Sequence, residues 1–205
     1  MKVLIACEFS GIVRDAFIAK GHDAMSCDLL PTERPGPHYQ GDVRDILGDG
    51  WDMMIAHPPC TYLSHAGARW LYPKGILNQV RYEQGCNARG FFLFLLNAPI
   101  AKICAENPKP SPIFELPKHT QIIQPWMFGD EAQKTTLLWL KNLPNLKSTN
   151  IVGRGEFITY KSGKRKAKWF MDAAHSKTPR ERAKIRSTTF QGIADAMADQ
   201  WGANE

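Results

Sequence analysis

No two of the five cysteines in this sequence stand in a Cys-x-x-Cys pair. An odd, scattered set at positions 7, 27, 60, 86 and 104 argues for reduced thiols. It argues against a disulfide framework or a structural zinc site. Long apolar runs are also missing. The longest, Gly90 to Ala98, has the length of a buried helix, whereas spanning a bilayer takes ~20 residues. Met1 to Glu8 has neither the length nor the cleavage site of a secretory signal, so a cytoplasmic protein with no membrane partner is expected. Internal repeats and low-complexity tails are absent. What remains is ordinary for a globular chain: 205 residues, 43% hydrophobic and 22% charged. Acidic residues fall short of basic ones, and the net charge of +6 fits a partner carrying phosphate, polymer or nucleotide. The densest basic run, Lys161 to Trp169, reads as a solvated loop or as a phosphate-binding loop with Trp169 as a stacking surface.

The first half alternates strand and helix signals. Lys2 to Cys7 is an apolar strand. Gly11 to Lys20 has helical spacing, with Ile12, Val13, Ala16, Phe17 and Ala19 forming an apolar face, and Gly21 stops it. His22 to Asp28 is a second strand, followed by a Pro/Gly-rich loop, Pro31 to Pro37. Gly41 to Leu47 reads as a turn and short helix, and Trp51 to Ala56 as the next strand. Asn78 to Asn97 is a long helix that Gly85 and Gly90 weaken. Ala101 to Ala105 is a buried strand ending at Glu106-Asn107-Pro108. This β-α repetition predicts an α/β fold with a Rossmann-like, doubly wound, mostly parallel sheet. The second half is less regular. Pro108 to Pro117 is a proline-rich loop, Thr136 to Leu143 fits strand or helix, and 153–168 is turn-rich and basic. Thr178-Pro179-Arg180-Glu181 opens a C-terminal helical region with an N-cap, a first-position proline and a third-position Glu. Gly192 is expected to break that region in two. We expect a single domain over 1–205, with 109–177 a short irregular segment and 178–202 the C-terminal helices.

The chemistry concentrates at strand ends. Proline cannot donate to a sheet ladder, so the Trp51–Ala56 run stops at His57-Pro58-Pro59-Cys60, which holds a cysteine beyond the strand's carboxyl end. In open α/β sheets ligands bind at that edge, and cysteine is the strongest side-chain nucleophile near neutral pH. Glu106 ends a later strand and, in a parallel sheet, shares the same edge. A thiol and a carboxylic acid facing one pocket suit nucleophilic addition to a heterocycle. That Glu needs a raised pKa, which burial is expected to provide. Upstream, Glu8-Phe9-Ser10-Gly11 makes a strand-to-helix turn where a ligand can approach backbone and the helix offers free N–H groups. Asp28 ends the second strand, where such folds place an acid on ribose hydroxyls. Asp42 follows Gly41 in the next turn, in place to accept from an adenine amine.

These motifs, in this order, resemble the cytosine-C5 methyltransferase family, which uses S-adenosylmethionine. Phe9-Ser10-Gly11 is similar to its Phe-x-Gly cofactor motif, Asp28 and Gly41-Asp42 to its next cofactor-binding acids, and Pro58-Pro59-Cys60 to its catalytic Pro-Pro-Cys. Ser64 matches the serine of Pro-Pro-Cys-Gln-x-Phe-Ser. Glu106-Asn107-Pro108 is similar to Glu-Asn-Val, and Thr178-Pro179-Arg180-Glu181 to a Thr-Pro-Arg-Glu near the family's C-terminal end. The resemblance covers roughly 3–108 and 178–200. It implies the class I methyltransferase fold, Cys60 and Glu106 as catalytic residues, and Phe9, Gly11, Asp28, Asp42 and Pro58 toward the cofactor. It implies Pro59, Ser64 and Asn107 toward the substrate, and no metal. The Cys60 thiolate would add to C6 of cytosine while Glu106 binds N3 and the exocyclic amine.

The departures are specific. Ile12-Val13-Arg14 stand where the family has further glycines, and Thr61 where it has Gln. No Gln-x-Arg-x-Arg is found, which leaves Arg154 or Arg165 as candidate guanidinium donors. Gln124 has no assigned role, and Trp126 suits either base stacking or the core. About 70 residues separate Glu106 from Thr178, too few for a large target-recognition domain. Flipping a base from duplex DNA costs a few kcal/mol, so the expected substrate is a free (deoxy)cytidine nucleotide, with DNA as the alternative. A zinc nucleobase deaminase is disfavoured because Leu63 stands where its second cysteine belongs. An amino-group methyltransferase would carry an aromatic residue in place of Cys60. A non-catalytic nucleic-acid-binding protein with a methyltransferase fold is the rival of another class.

Overall fold

The apolar run Val3–Ala6 is fully buried inside β1 (Lys2–Ala6). This strand pairs in parallel with β2 (Asp23–Asp28) on one side and β4 (Met53–Ala56) on the other. Beyond β2 lies β3 (His38–Gln40), and beyond β4 lies β5 (Lys102–Asn107), both parallel to their neighbours. The sheet then turns mixed, because β7 (Thr136–Lys141) runs antiparallel to β5, and β6 (Gln121–Ile123) antiparallel to β7. The resulting order is β3-β2-β1-β4-β5-β7-β6. This computed structural model describes residues 1–175 and 178–203, without side chains at 173, 174, 179, 180 and 183. Pro179 and Arg180 of the Thr-Pro-Arg-Glu run thus have side chains outside the described residues.

Continuous burial follows from helices covering both faces, since alternate residues of a strand point to opposite sides. Val3, Ile5, Met53 and Ile55 pack with α1 (Ile12–Ala19) and α5 (Gln191–Gly202) through Phe17, Ile193, Met197 and Trp201. Leu4, Ala6 and Met54 face the other way, onto Leu95 of α2 (Gln79–Leu96) and the turn around Val43. Gly85 weakens α2 by propensity, yet a Cβ there would lie 2.1 Å from the Phe114 ring, so close packing demands glycine. The core of α2 also covers Ala105 and Trp139 through Phe92.

The sequence-based expectation of a doubly wound, mostly parallel sheet holds, and Thr136–Leu143 resolves as strand. The basic run forms a separate hairpin, β8 (Phe157–Thr159) with β9 (Arg165–Ala167), leading into α3 (Lys168–Ala174). The C-terminal region divides into α4 (Pro179–Ser187) and α5, with the expected capping box at Thr178 and Glu181. The break falls at 188–190, not at Gly192. That glycine lies inside α5, where a Cβ would meet the Phe128 carbonyl oxygen at 1.8 Å and its N–H donates to Asp130 (3.0 Å). Among the described residues, no helix is long and apolar enough to cross a membrane.

Candidate active site

β4 ends at Ala56, paired with Ala105 of β5, so His57 and Glu106 emerge side by side at the carboxyl edge. His57 Nδ1 lies 3.3 Å from Glu106 Oε2. Pro58 is buried and Pro59 exposed. The buried Asn107 amide donates to the Pro58 carbonyl (3.1 Å), tying the two strand ends together. A tight turn then returns the chain: the N–H groups of Leu63 (3.1 Å) and Ser64 (2.9 Å) donate to the Cys60 carbonyl. Leu63 is fully buried and anchors this turn. Lys134, just before β7, reaches across and donates to the Thr188 carbonyl (3.2 Å). A small cleft is lined by His57, Glu106, Lys134, Thr136, Phe190 and Ile193 among others.

Cys60 is not among the residues lining this cleft, but its thiol is linked electrostatically to the charges there. Burial and the Glu106 carboxylate push the Cys60 thiol above its ordinary value, and the Lys134 cation pulls it back. For Glu106, burial favours the neutral acid, but the His57 hydrogen bond and Lys134 together outweigh it. The net direction is downward, which reverses the raised pKa expected from burial alone. Elsewhere burial pushes Cys7 and Cys27 up to about 12, consistent with thiols held as small core groups.

The cofactor-side residues gather at the carboxyl ends of β1 and β2, beside the point where the strand order reverses. Gly11 has φ 75°, in the left-handed region open to glycine. The expected free N–H groups of α1 are occupied. The buried Glu8 carboxylate accepts from Val13 N (2.9 Å), Ser10 Oγ (2.9 Å) and Arg14 N (3.5 Å). Arg14, where family glycines were expected, is fully buried. Its guanidinium donates to Asp15 (2.8 Å), Ser26 and Thr32 (each 3.2 Å), and to the carbonyls of Arg34 (3.1 Å) and Pro35 (3.2 Å). A Cβ at Gly11 or Gly36 would lie 2.5 or 2.8 Å from this guanidinium. Phe9 accepts from Glu33 N through its carbonyl (2.9 Å), which closes loop 29–37 over the turn. Asp28 accepts from Leu30 N (2.9 Å), and burial raises its carboxyl. Asp42 caps the turn at Val43 by accepting from Arg44 N (3.0 Å).

Other expected residues lie apart from the cleft lining. Pro59 faces a second groove with Tyr62 and Phe91. Ser64 opens the turn His65–Trp70. Arg154 is exposed and sits over the Trp126 ring (5.1 Å), and Arg165 is exposed over Phe157 (4.5 Å). Trp169 is engaged: its Nε1 donates to the Gln133 carbonyl (2.9 Å), and its ring meets Phe170 and Phe190 edge-on. Sequence reasoning quoted His57 without giving it a role, although its place before Pro58 opposite Glu106 was the signal. Glu8 was visible as the acid before the glycine turn. Lys134 and Phe190 carry no local signal.

The strand order, with β7 reversed beside β5, is that of the class I methyltransferase fold. Neither a scan of protein-family models nor a search of curated proteins finds a match to this chain. Among solved structures, it is similar to an E. coli prophage-encoded protein that is itself only provisionally assigned as a DNA modification methyltransferase. Identity is 14% and the TM-score 0.45, over 74% of this chain and 51% of that one. This chain therefore spans about half of that protein's length, and the fold assignment rests on the strand order.

Proposed function

We propose that the protein is an S-adenosylmethionine-dependent methyltransferase acting on C5 of cytosine through a covalent adduct at Cys60, with a free (deoxy)cytidine nucleotide as substrate. The observation that carries this reading is a His57-bound Glu106 at the end of β5, beside the turn after β4 that holds Cys60 and close enough for its carboxylate to act on that thiol. On this reading residues 1–205 act as one methyltransferase domain, with 109–177 its reduced substrate side.

The residues on the β1–β2 edge suit the cofactor. Asp28 and Asp42 sit at successive strand ends as acceptors for hydroxyl and amine groups, Gly11 makes the turn into α1 with the Arg14 guanidinium packed against it, and Phe9 and Pro58 border that edge. When bound, S-adenosylmethionine supplies an electrophilic methyl group. Cys60 acts further along the same carboxyl edge, after β4: its thiolate adds to C6 of the ring and opens the C5=C6 bond. Glu106 accepts from the exocyclic amine and, protonated by way of His57, donates to N3, drawing charge off the ring. A bound ring shields this pair from water, which favours the neutral acid. Once C5 is methylated, loss of its proton to water re-forms C5=C6 and expels the Cys60 thiolate.

One observation favours DNA as a second reading. Directly after the Cys60 turn, Trp70 (57%) and Tyr72 (47%) are exposed, and Arg69 lies 4.7 Å over the Trp70 ring, a combination suited to stacked bases. Radiolabelled methyl transfer to dCMP and to duplex DNA, run side by side, tests the choice. Labelling of dCMP is the expected result. Label in DNA alone refutes the nucleotide reading, and no label with either, together with no S-adenosylmethionine binding by calorimetry, leaves only the non-catalytic binder.

A further inference from the structure

Arg182 and Arg186 stand one turn apart on α4, and the Nε of each is buried without a hydrogen-bond partner. Neither belongs to an ion pair among the described residues. The nearby acids are engaged elsewhere. Glu33 pairs with Lys184 (2.5 Å), Glu181 accepts from Thr178 N (3.0 Å), Asp172 pairs with Lys168 (2.9 Å), and Asp130 holds Gly192 N (3.0 Å). Two half-buried cations side by side are costly to fold. Burial, and then repulsion from Arg182, pulls Arg186 below its ordinary value.

Their place in the fold points the same way. The Arg186 guanidinium lies 4.0 Å over the Phe170 ring. Phe170 touches Trp169 (5.9 Å), which touches Phe190 (5.7 Å), and Phe190 lines the cleft with His57 and Glu106. α4 also runs directly into Thr188, the acceptor of Lys134, and Thr189 in the cleft wall. Arg186 is thus linked to the cleft wall through Phe170, Trp169 and Phe190, Arg182 stands one turn before it on α4, and an anion between the two would remove their repulsion. Guanidinium forks match phosphate oxygens two at a time.

We infer that Arg182 and Arg186 form a phosphate clamp, binding the phosphate of a cytosine nucleotide or the backbone phosphate of a polynucleotide. The inference rests on the cytosine reading above for its ligand, but phosphate binding is measurable without methyl transfer.

Calorimetry on the full chain with dCMP, deoxycytidine and a short single-stranded oligodeoxynucleotide tests it, using wild type, Arg182→Gln, Arg186→Gln and Arg186→Lys. Wild type should bind dCMP about tenfold or more tightly than deoxycytidine, the value of one good charge-assisted contact. Both Gln variants should lose that gap while keeping their deoxycytidine affinity. Inorganic phosphate should raise the melting temperature of wild type and not of these variants. Arg186→Lys keeps the charge and the stem over Phe170. It should melt like wild type yet lose most of the gap, so a folding defect cannot imitate the result. Loss confined to the oligodeoxynucleotide assigns the clamp to a backbone phosphate. Variants that melt normally and retain both the dCMP gap and oligodeoxynucleotide affinity overturn the clamp. Methyl transfer missing while the phosphate gap is intact overturns only the methyltransferase reading.

Discussion

The two walls of the crevice at the sheet's carboxyl edge differ in how they are finished. On the β1–β3 side, Glu8 satisfies the start of α1, and Arg14 spends its guanidinium on five acceptors. On the β4–β7 side, buried polar atoms stand without partners at His57 Nε2, Asn107 Oδ1, Gln124 Oε1 and Trp126 Nε1, and on α4, which Lys184 ties to Glu33, so do the two arginine Nε atoms. Among the described residues, every such orphan lies at 57 or beyond. Native interiors leave few buried polar groups unpaired, and each one asks for a reason. The contrast teaches that the first wall is braced by its own chain, whereas buried polar atoms beside the second find no partner within the chain.

Variants can break or sharpen this contrast. Glu106→Gln keeps an acceptor for His57 but removes the acid, and turnover should fall by about 10²–10⁴-fold with the melting temperature little changed. A drop of less than tenfold would remove Glu106 from the chemistry. Arg14→Ala attacks the finished wall, leaving Ser26, Thr32 and two carbonyls without their donor and Asp15 with Arg34 alone (3.7 Å). Urea unfolding should report a loss of about 3–5 kcal/mol, as expected for breaking a buried charged network. Stability within 1 kcal/mol of wild type would contradict a self-completed wall. Lys134→Met should change a pH profile more than a rate. The cation favours the Cys60 thiolate, so its removal must raise the midpoint of iodoacetamide alkylation at Cys60, followed by peptide mass spectrometry. Glu106→Gln must lower the same midpoint, because the carboxylate opposes the thiolate. Smallest of all, Arg165→Gln on the exposed hairpin should change stability by no more than about 0.5 kcal/mol. A large loss of dCMP affinity there would return the guanidinium role to the basic run.

Legibility in the sequence follows the same division. β1, α1, β2, β4, α2 and β5 carry local apolar patterns and turn residues, and each appears where those patterns lie. Three-residue strands such as β3 and β6 carry no period to detect, and exist through backbone pairing with distant segments. Cys60 and Glu106 were legible because proline and strand ends mark them. Their electrostatics were not, because the partner of Glu106 depends on β4–β5 register and Lys134 arrives from 28 residues further along the chain. Burial alone suggested a raised Glu106, and those two neighbours reverse it. Trp169 reads from the sequence as part of a solvated loop or as a stacking surface, yet the Gln133 carbonyl and Phe190 engage it beside the cleft. The Gly192 break was misplaced because the close approach to Phe128 is invisible locally.

The central claim is that the Cys60 sulfur bonds to the substrate ring. Incubation with 5-fluoro-dCMP and S-adenosylmethionine tests it most directly, because fluorine at C5 cannot leave as a proton does, and the adduct is held. Digestion and mass spectrometry should find the modified, methylated nucleotide on the peptide containing Cys60, with no adduct in Cys60→Ser. Methylation of dCMP by Cys60→Ser at the wild-type rate, or an adduct on another residue, would contradict the account.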